Sequence, residues 1–366
     1  MKHRFRILDI FRGIFASMVV FFHLADFADT PLLNNDFVRN SDMFVDFFFV
    51  LSGFVIAYNY QTFAKTEEIG TFLQKRLYRI YPLHLLMLLA FLFIELVKGY
   101  LSSYVQVNQP VGANNNVYSF FTSLFLLNSV KVFGIKDVSW NIPSWSISAE
   151  MISYVVYGAV VLLLHKWGIV RQKFVVFLFI SLVAFASMVL INQSFRLNYS
   201  FDYGFLRGII GFFIGAFCYG VFDRSYVYFK KLPKLFFDLS EVLVMGTIIT
   251  MIYYGAYFKE MGGVYEVLFF TSILIFSFER GLVSDALKKS IFLDKVGLYS
   301  YSIYMTHALL ISLFNVLFIR ILKFPPSAYV YLVFVNYYLI YKVSEWTYTH
   351  IEMRFKARKK TVTSTV

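Results

Sequence analysis

The first long apolar run of the chain carries two residues that hydrocarbon would normally exclude, Arg12 and His23 in FRGIFASMVVFFH. They stand eleven residues apart. At about 100° per residue that is three turns plus roughly 20°, so both fall on one helix face, about 16 Å apart along the axis. Asp9 and Asp26 extend the same stripe by a turn at each end. A charged or titratable side chain in lipid is costly unless it faces protein, water or a partner. The pair therefore predicts an inward-facing polar stripe across most of a bilayer. The plainer alternative is a snorkelling arginine and a core histidine with a satisfied hydrogen bond.

Other polar residues interrupt later apolar runs. Asp46 lies in MFVDFFFVLSGFVIAY, and Glu150 ends PSWSISAE, where Ser144 and Ser148 share a face at i, i+4. Depth along the runs predicts His23, Asp46 and Glu150 at one level, toward the outer face. A histidine beside a carboxylate is the arrangement of a general base; the alternative for the carboxylates is hydrogen bonding that glues helices together. FLQKRLYRIYPLH carries Lys75, Arg76 and Arg79 on a helical stretch expected to break at Pro82. With Arg12 these form a basic cluster at the inner mouth. Paired guanidinium forks suit phosphate, whereas simple anchoring on anionic lipid is the favoured reading for Lys75. In VGLYSYSIYMTHALL, Tyr301 and Tyr304 are i, i+3 and His307 follows three residues on, near mid-depth. Glu345 and Glu352 flank a basic inner face and are expected to pair with it.

The elements that must hold these residues follow from composition. Of 366 residues, 59% are hydrophobic and 15% charged, against about 25% charged in soluble proteins; the mean hydropathy is +0.64. The fold class is an all-α polytopic membrane protein. Net charge is +12, but the basic residues cluster between apolar runs, a positive-inside pattern that leaves nucleic acid without support as a partner. The lone Cys218 excludes an intramolecular disulfide, and no Cys/His cluster has metal-ligand spacing. The run at 117–130 is short for a span. If it does not cross, the basic loops all fall on the side of the N-terminus; if it does, the rule fails through the C-terminal half. About ten spans are therefore expected, with both termini cytoplasmic, the chain in the cell membrane, and 117–130 re-entrant or at the outer face. MKHRFR and the following run read as a retained first span, since no cleavage site follows. Residues 98–116 and 131–143 are irregular and are expected to cover or line an external mouth. One transmembrane domain, 1–355, and a basic, polar tail, 356–366, complete the organisation.

In order, Arg12-x10-His23, VDFFFVLSGF, KRLYRIYPLH, PSWSISAE, GLYSYSIYMTH and WTYTHIEMRF resemble the motifs of the membrane-bound acyltransferase 3 family. That family includes bacterial O-antigen and exopolysaccharide O-acetyltransferases. The resemblance covers nearly the whole chain. Met353 departs from it, where the family usually has proline after the glutamate, and no fused external hydrolase-like domain is expected. The resemblance implies ten spanning helices and transfer of an acyl group, usually acetyl, from cytoplasmic acyl-CoA to a sugar hydroxyl. It implies Arg12, His23, Arg76, Arg79 and Glu150 as site residues. Acyl-CoA is then a donor substrate rather than a resident cofactor. The expected roles are phosphate binding by Arg76 and Arg79, with Arg12 near the thioester arm. His23 is the general base or transient acyl carrier, oriented by Glu150 or Asp46. Ser144, Trp145, Ser148, Tyr304 and His307 line the acceptor side. Expected partners are membrane lipid, an outer-face glycan and envelope-polysaccharide biosynthesis proteins. Two other classes compete. A transporter of a glycan or small anion predicts paired broken helices in the two halves, which the sequence does not show. A non-catalytic envelope scaffold predicts tolerance of neutral residues at Arg12 and His23.

Overall fold

In hydrocarbon every backbone N–H and C=O must be satisfied within its own segment, so apolar runs of this length fold as helices. A computed structural model of the protein describes residues 3–27, 30–101, 112, 114–131 and 139–355. Ten longer helices are numbered here in chain order. They are α1 (Arg6–Ala25), α2 (Phe44–Asn59), α3 (Thr66–Leu101), α4 (Trp145–Lys166) and α5 (Lys173–Asn192), followed by α6 (Gly204–Phe229), α7 (Lys234–Tyr253), α8 (Val264–Phe276), α9 (Ile291–Asn315) and α10 (Tyr329–Thr347). Among the described residues eight helices are long and apolar enough to cross a membrane. The other two of the ten are α8, which at 13 residues is shorter than a full span, and α10. The described regular structure is helical apart from an isolated bridge between Val130 and Tyr203.

The segment at 117–130 forms only the eight-residue helix Val117–Leu124, capped by Asn116 and Ser119. At 1.5 Å per residue it reaches about 12 Å, well short of the hydrocarbon thickness. Helix directions give an independent test. On α1 and α9, Gly13 meets Gly297 and, ten residues on in each, His23 meets His307, so the two helices run parallel. On α2 and α6, Asp46 meets Arg207 and, further along both, Gly53 meets the Phe212 carbonyl and Gly215 meets the Val50 carbonyl. These two are parallel as well. Parallel partners need an odd number of crossings between them; α2–α8 make seven and α3–α5 make three, counts that stay odd only if 117–130 does not cross. The two contacts also explain the glycines. A Cβ on Gly13 would lie 2.5 Å from the Gly297 nitrogen, and one on Gly53 would lie 1.7 Å from the Phe212 carbonyl oxygen. Each pair of helices thus meets backbone to backbone.

One expectation is corrected. The helix carrying Arg76 and Arg79 does not break at Pro82; α3 runs unbroken through it for 36 residues. A proline removes one helical hydrogen bond and crowds the carbonyl four residues back, but packing holds this turn. Ile80, Leu83 and His84 are buried around it, and Tyr301 donates to the Ile80 carbonyl at 2.6 Å. The basic residues therefore sit on the first turns of a spanning helix rather than on a separate piece.

The interior is largely aromatic, with Phe15 stacked on Phe44 at 4.1 Å and Phe11 edge-on to Phe276 at 4.6 Å. Phe179, Leu190 and Phe334 lie exposed on the outer surface of the bundle, as lipid contact requires. Most of the irregular segments 98–116 and 131–143, and all of the tail 356–366, lie outside the described residues.

Candidate active site

The first helix is turned toward protein. Arg12 lies against α9, where its Nε donates to Ser300 Oγ at 2.7 Å and its Nη2 to the Gly297 carbonyl at 3.3 Å. The same nitrogen is 3.3 Å from Asp9 Oδ1. Arg76 and Arg79 approach from α3. Arg76 donates to Tyr60 Oη at 3.2 Å, with its guanidinium over the Tyr60 ring. Arg79 holds no direct ion pair among the described residues, although Glu150, Glu352 and Asp9 surround it at longer range. It is deep in the protein yet accessible, because its head faces a cavity.

Two connected cavities meet at these arginines. A vestibule of about 540 Å³ opens at the end of the bundle where residues 3–5 and 348–355 come together. His3, Arg4, Lys75 and Glu352 line it along with Arg12, Arg76 and Arg79. A smaller chamber of about 120 Å³ continues inward from the same three arginines to Ala16, Ser146 and Tyr304. Cation density is thus greatest where the wide vestibule narrows.

Carboxylates are placed to balance the arginines. Glu150 lines the chamber and accepts from Ser52 Oγ at 2.6 Å and from Tyr154 Oη. Glu352 accepts from Ser302 Oγ, itself bonded by Thr347 at 3.0 Å. A π-helical turn at Tyr348–Glu352 follows α10 and carries this glutamate to the vestibule wall. Such turns often mark functional positions.

The expected grouping of His23 with Asp46 and Glu150 does not occur. Both oxygens of Asp46 are taken by Arg207 on α6, at 2.6 Å and 2.8 Å, in a pair that is almost wholly buried. Glu150 is held by Ser52 and Tyr154 on the chamber wall. A buried guanidinium outcompetes an imidazole for a carboxylate because its charge is permanent and its fork is bidentate. His23 instead contacts His307, with ring centroids 5.1 Å apart and planes at 33°. His307 is fully buried, and among the described residues neither of its ring nitrogens has an aligned partner. The chamber lining stops at Ala16, seven residues and about 10 Å short of His23. Tyr304 forms the partition. It is bonded to Ser146 at 2.9 Å, packs on Phe48 on the chamber side, and meets His307 beyond. Asp26, past the end of α1, is raised above its ordinary carboxylate value by burial, with Arg39 opposing.

The expected acceptor-side residues divide. Tyr304 faces the chamber. Ser144 and Ser148 do not, because they fasten the turn after Val117–Leu124. Ser144 accepts from Asn128 at 2.9 Å, and Ser148 bonds the Leu126 carbonyl at 2.6 Å and Ser129 at 2.7 Å. Trp145 packs under the Arg207 guanidinium, 5.4 Å from it, and against Phe49. In this stretch Ser146 and Ile147 line the chamber instead, along with Glu150. Ser52, Tyr154 and Ser300 were also missed, since an isolated hydroxyl in an apolar run carries no signal of its partner. Arg207 had a signal: an arginine inside GFLRGIIGFF is costly without a partner.

Among the described residues no group of three or more metal-ligating side chains is placed to hold an ion. A family model described as an acyltransferase domain matches residues 5–341. The chain is also 29% identical, over 171 residues, to "Protein 2 in picA locus" of Rhizobium radiobacter, a match covering 45% of this chain and 83% of that protein. No solved structure matches it.

Proposed function

The chain belongs to the membrane-bound acyltransferase 3 family, and we propose that it is an O-acyltransferase carrying an acyl group, acetyl foremost, from cytoplasmic acyl-CoA to a hydroxyl of a cell-surface glycan. The observation that carries this reading is the three arginines at the neck between vestibule and chamber, two of which, Arg76 and Arg79, have no direct ion pair among the described residues. Coenzyme A is a bulky polyanion on a long, thin arm. Its phosphates fit a wide basic vestibule at Arg76 and Arg79, while the arm enters the chamber past Arg12. The vestibule then faces the cytoplasm, and so do both described chain ends, with the chain in the cell membrane beside envelope-polysaccharide biosynthesis proteins.

In the direct route the acceptor oxygen attacks the thioester carbonyl carbon and the carbon–sulfur bond breaks. His23 takes the hydroxyl proton, which finally resides on the departing thiolate sulfur. In the two-step route the imidazole first accepts the acyl group and releases the thiolate, and the hydroxyl then displaces the imidazole, its proton ending on the thiolate sulfur. Both routes need the thioester to pass Tyr304 and Phe48, which close the chamber short of His23. Turnover on this reading includes a swing of the Tyr304 ring off Ser146.

The test is transfer from labelled acetyl-CoA by purified protein to glycan-bearing membranes. His23→Ala is expected to lose at least about 10²-fold in kcat. Arg79→Ala is expected to raise the donor KM by about tenfold, the loss of one charge-assisted contact. A fully active His23→Ala variant removes His23 from the chemistry. An unchanged donor KM in Arg79→Ala removes the neck as the donor site.

A further inference from the structure

An imidazole that takes a proton works best when a second group holds its other nitrogen, fixing tautomer and orientation. Among the described residues no carboxylate is hydrogen-bonded to His23; Asp42, the one within electrostatic range of it, is held by Lys259 at 2.7 Å. Asp46 is held by Arg207 and Glu150 by Ser52 and Tyr154. The ring that does meet His23, apart from its neighbour Phe22, is that of His307.

His307 is placed with care. It lies ten residues beyond Gly297, as His23 lies ten beyond Gly13, and the contact of those glycines fixes the register of α1 against α9. It is fully buried, against the Ile303 and Tyr304 carbonyls of its own helix but in no aligned hydrogen bond with either. Two fully buried nitrogens without an aligned partner among the described residues are unfavourable unless a partner arrives during the reaction. A second unmet polar atom lies close by. Asn141 is buried and donates to the carbonyl of Met305, two residues before His307, while its own Oδ1 has no partner among the described residues.

We propose that His307 is the positioning residue for His23. When the acceptor hydroxyl engages one nitrogen of His23, the other pairs with a nitrogen of His307, setting the tautomer and aiming the basic nitrogen at the hydroxyl. As His23 takes the proton, its far N–H donates to the neutral His307, which spreads the charge without a buried carboxylate. The 5.1 Å centroid separation leaves a small ring rotation to bring the nitrogens together, and such contacts often tighten only in the reacting complex. This inference rests on the acyl-transfer reading above.

The experiment compares His307→Phe, His307→Gln, His23→Ala and the His23→Ala/His307→Phe double variant, using labelled acetyl-CoA and glycan-bearing membranes. His307→Phe keeps a ring in the cavity and removes both nitrogens. Its kcat is expected to fall about 10- to 100-fold with the donor KM within about twofold, while the protein stays monodisperse in detergent. His307→Gln, which returns an amide to the site, is expected to recover most of the lost kcat. The double variant should fall no further than His23→Ala, because a positioning residue has nothing left to position. Wild-type kcat in His307→Phe overturns the proposal. So does a Gln variant as impaired as Phe, or a double variant that loses both effects in full, since packing alone would give those results. A His23→Ala variant with full activity overturns the acyl-transfer role of His23 and this proposal with it. Loss in His23→Ala with none in His307→Phe leaves that role standing and removes His307 alone.

Discussion

Asp46 and Arg207 show how burial decides what a charged residue does. In sequence Asp46 looks available to an imidazole; in the fold it is bound on both oxygens by a guanidinium that also covers Trp145. Removing one member leaves the other charge buried and unpaired, at a cost of about 3–5 kcal/mol. Replacing both with apolar residues of similar volume removes that penalty. Arg207→Met and Asp46→Leu are each expected to lower the melting temperature in detergent sharply, and the double variant to recover most of the loss. Single variants as stable as wild type would mean that the pair does not hold α2 to α6. Glu150 belongs to a different set, since it faces the arginines and is tied to Ser52 and Tyr154. Two carboxylates that look alike in sequence thus serve a helix contact and a cavity wall.

Among the elements, α1 and α9 carry the site between them. Their register aligns Arg12 with Ser300 and Gly297, and His23 with His307. That alignment depends on the backbone contact at Gly13 and Gly297. A side chain on Gly13 would drive its Cβ to 2.5 Å from backbone atoms that cannot swing aside. Gly13→Val is expected to destabilise the protein by about 1–3 kcal/mol or more through overpacking, and to abolish transfer because both site residues move with α1. Gly70→Ala and Gly246→Ala, whose added Cβ meets nothing within 4 Å, are the controls. They should be neutral or stabilising by up to about 1 kcal/mol. Thermal unfolding and transfer assays on the three variants check this, and a stable, active Gly13→Val would show that the close approach is dispensable. The unbroken α3 serves the same end, because its 36 residues bring Arg76 and Arg79 to the cavity neck on one rigid rod.

For the whole molecule, the parallel pairs α1/α9 and α2/α6 fix the parity of the crossings and leave 117–130 on one side. Parity says which ends share a face; charge argues which face is cytoplasmic. Cysteine labelling separates the two. In a Cys218→Ala background, Asn114→Cys is expected to react with an impermeant maleimide in intact cells, and Lys65→Cys only after the membrane is opened. Both positions are exposed, at opposite ends of α3. The reverse pattern would turn the vestibule, and the proposed donor site, away from the cytoplasm.

The sequence by itself determined what depends on local chemistry and on the cost of polar groups in hydrocarbon. Apolar run length, the sorting of basic residues and ordered motifs pointed to a ten-helix acyltransferase, and helical spacing put Arg12 and His23 on an inward face. The helix around Pro82 was misread because a proline's local penalty says nothing of the packing that offsets it. Ser144 and Ser148 bond the turn after Val117–Leu124 rather than line the chamber, because spacing shows that two residues share a face, never what that face touches. Tertiary structure alone decided the partners: Asp46 with Arg207, Glu150 with Ser52, His23 with His307. Each pair joins residues on different helices. Their meeting depends on rotation and register, which are set where side chains and bare glycine backbone come into contact.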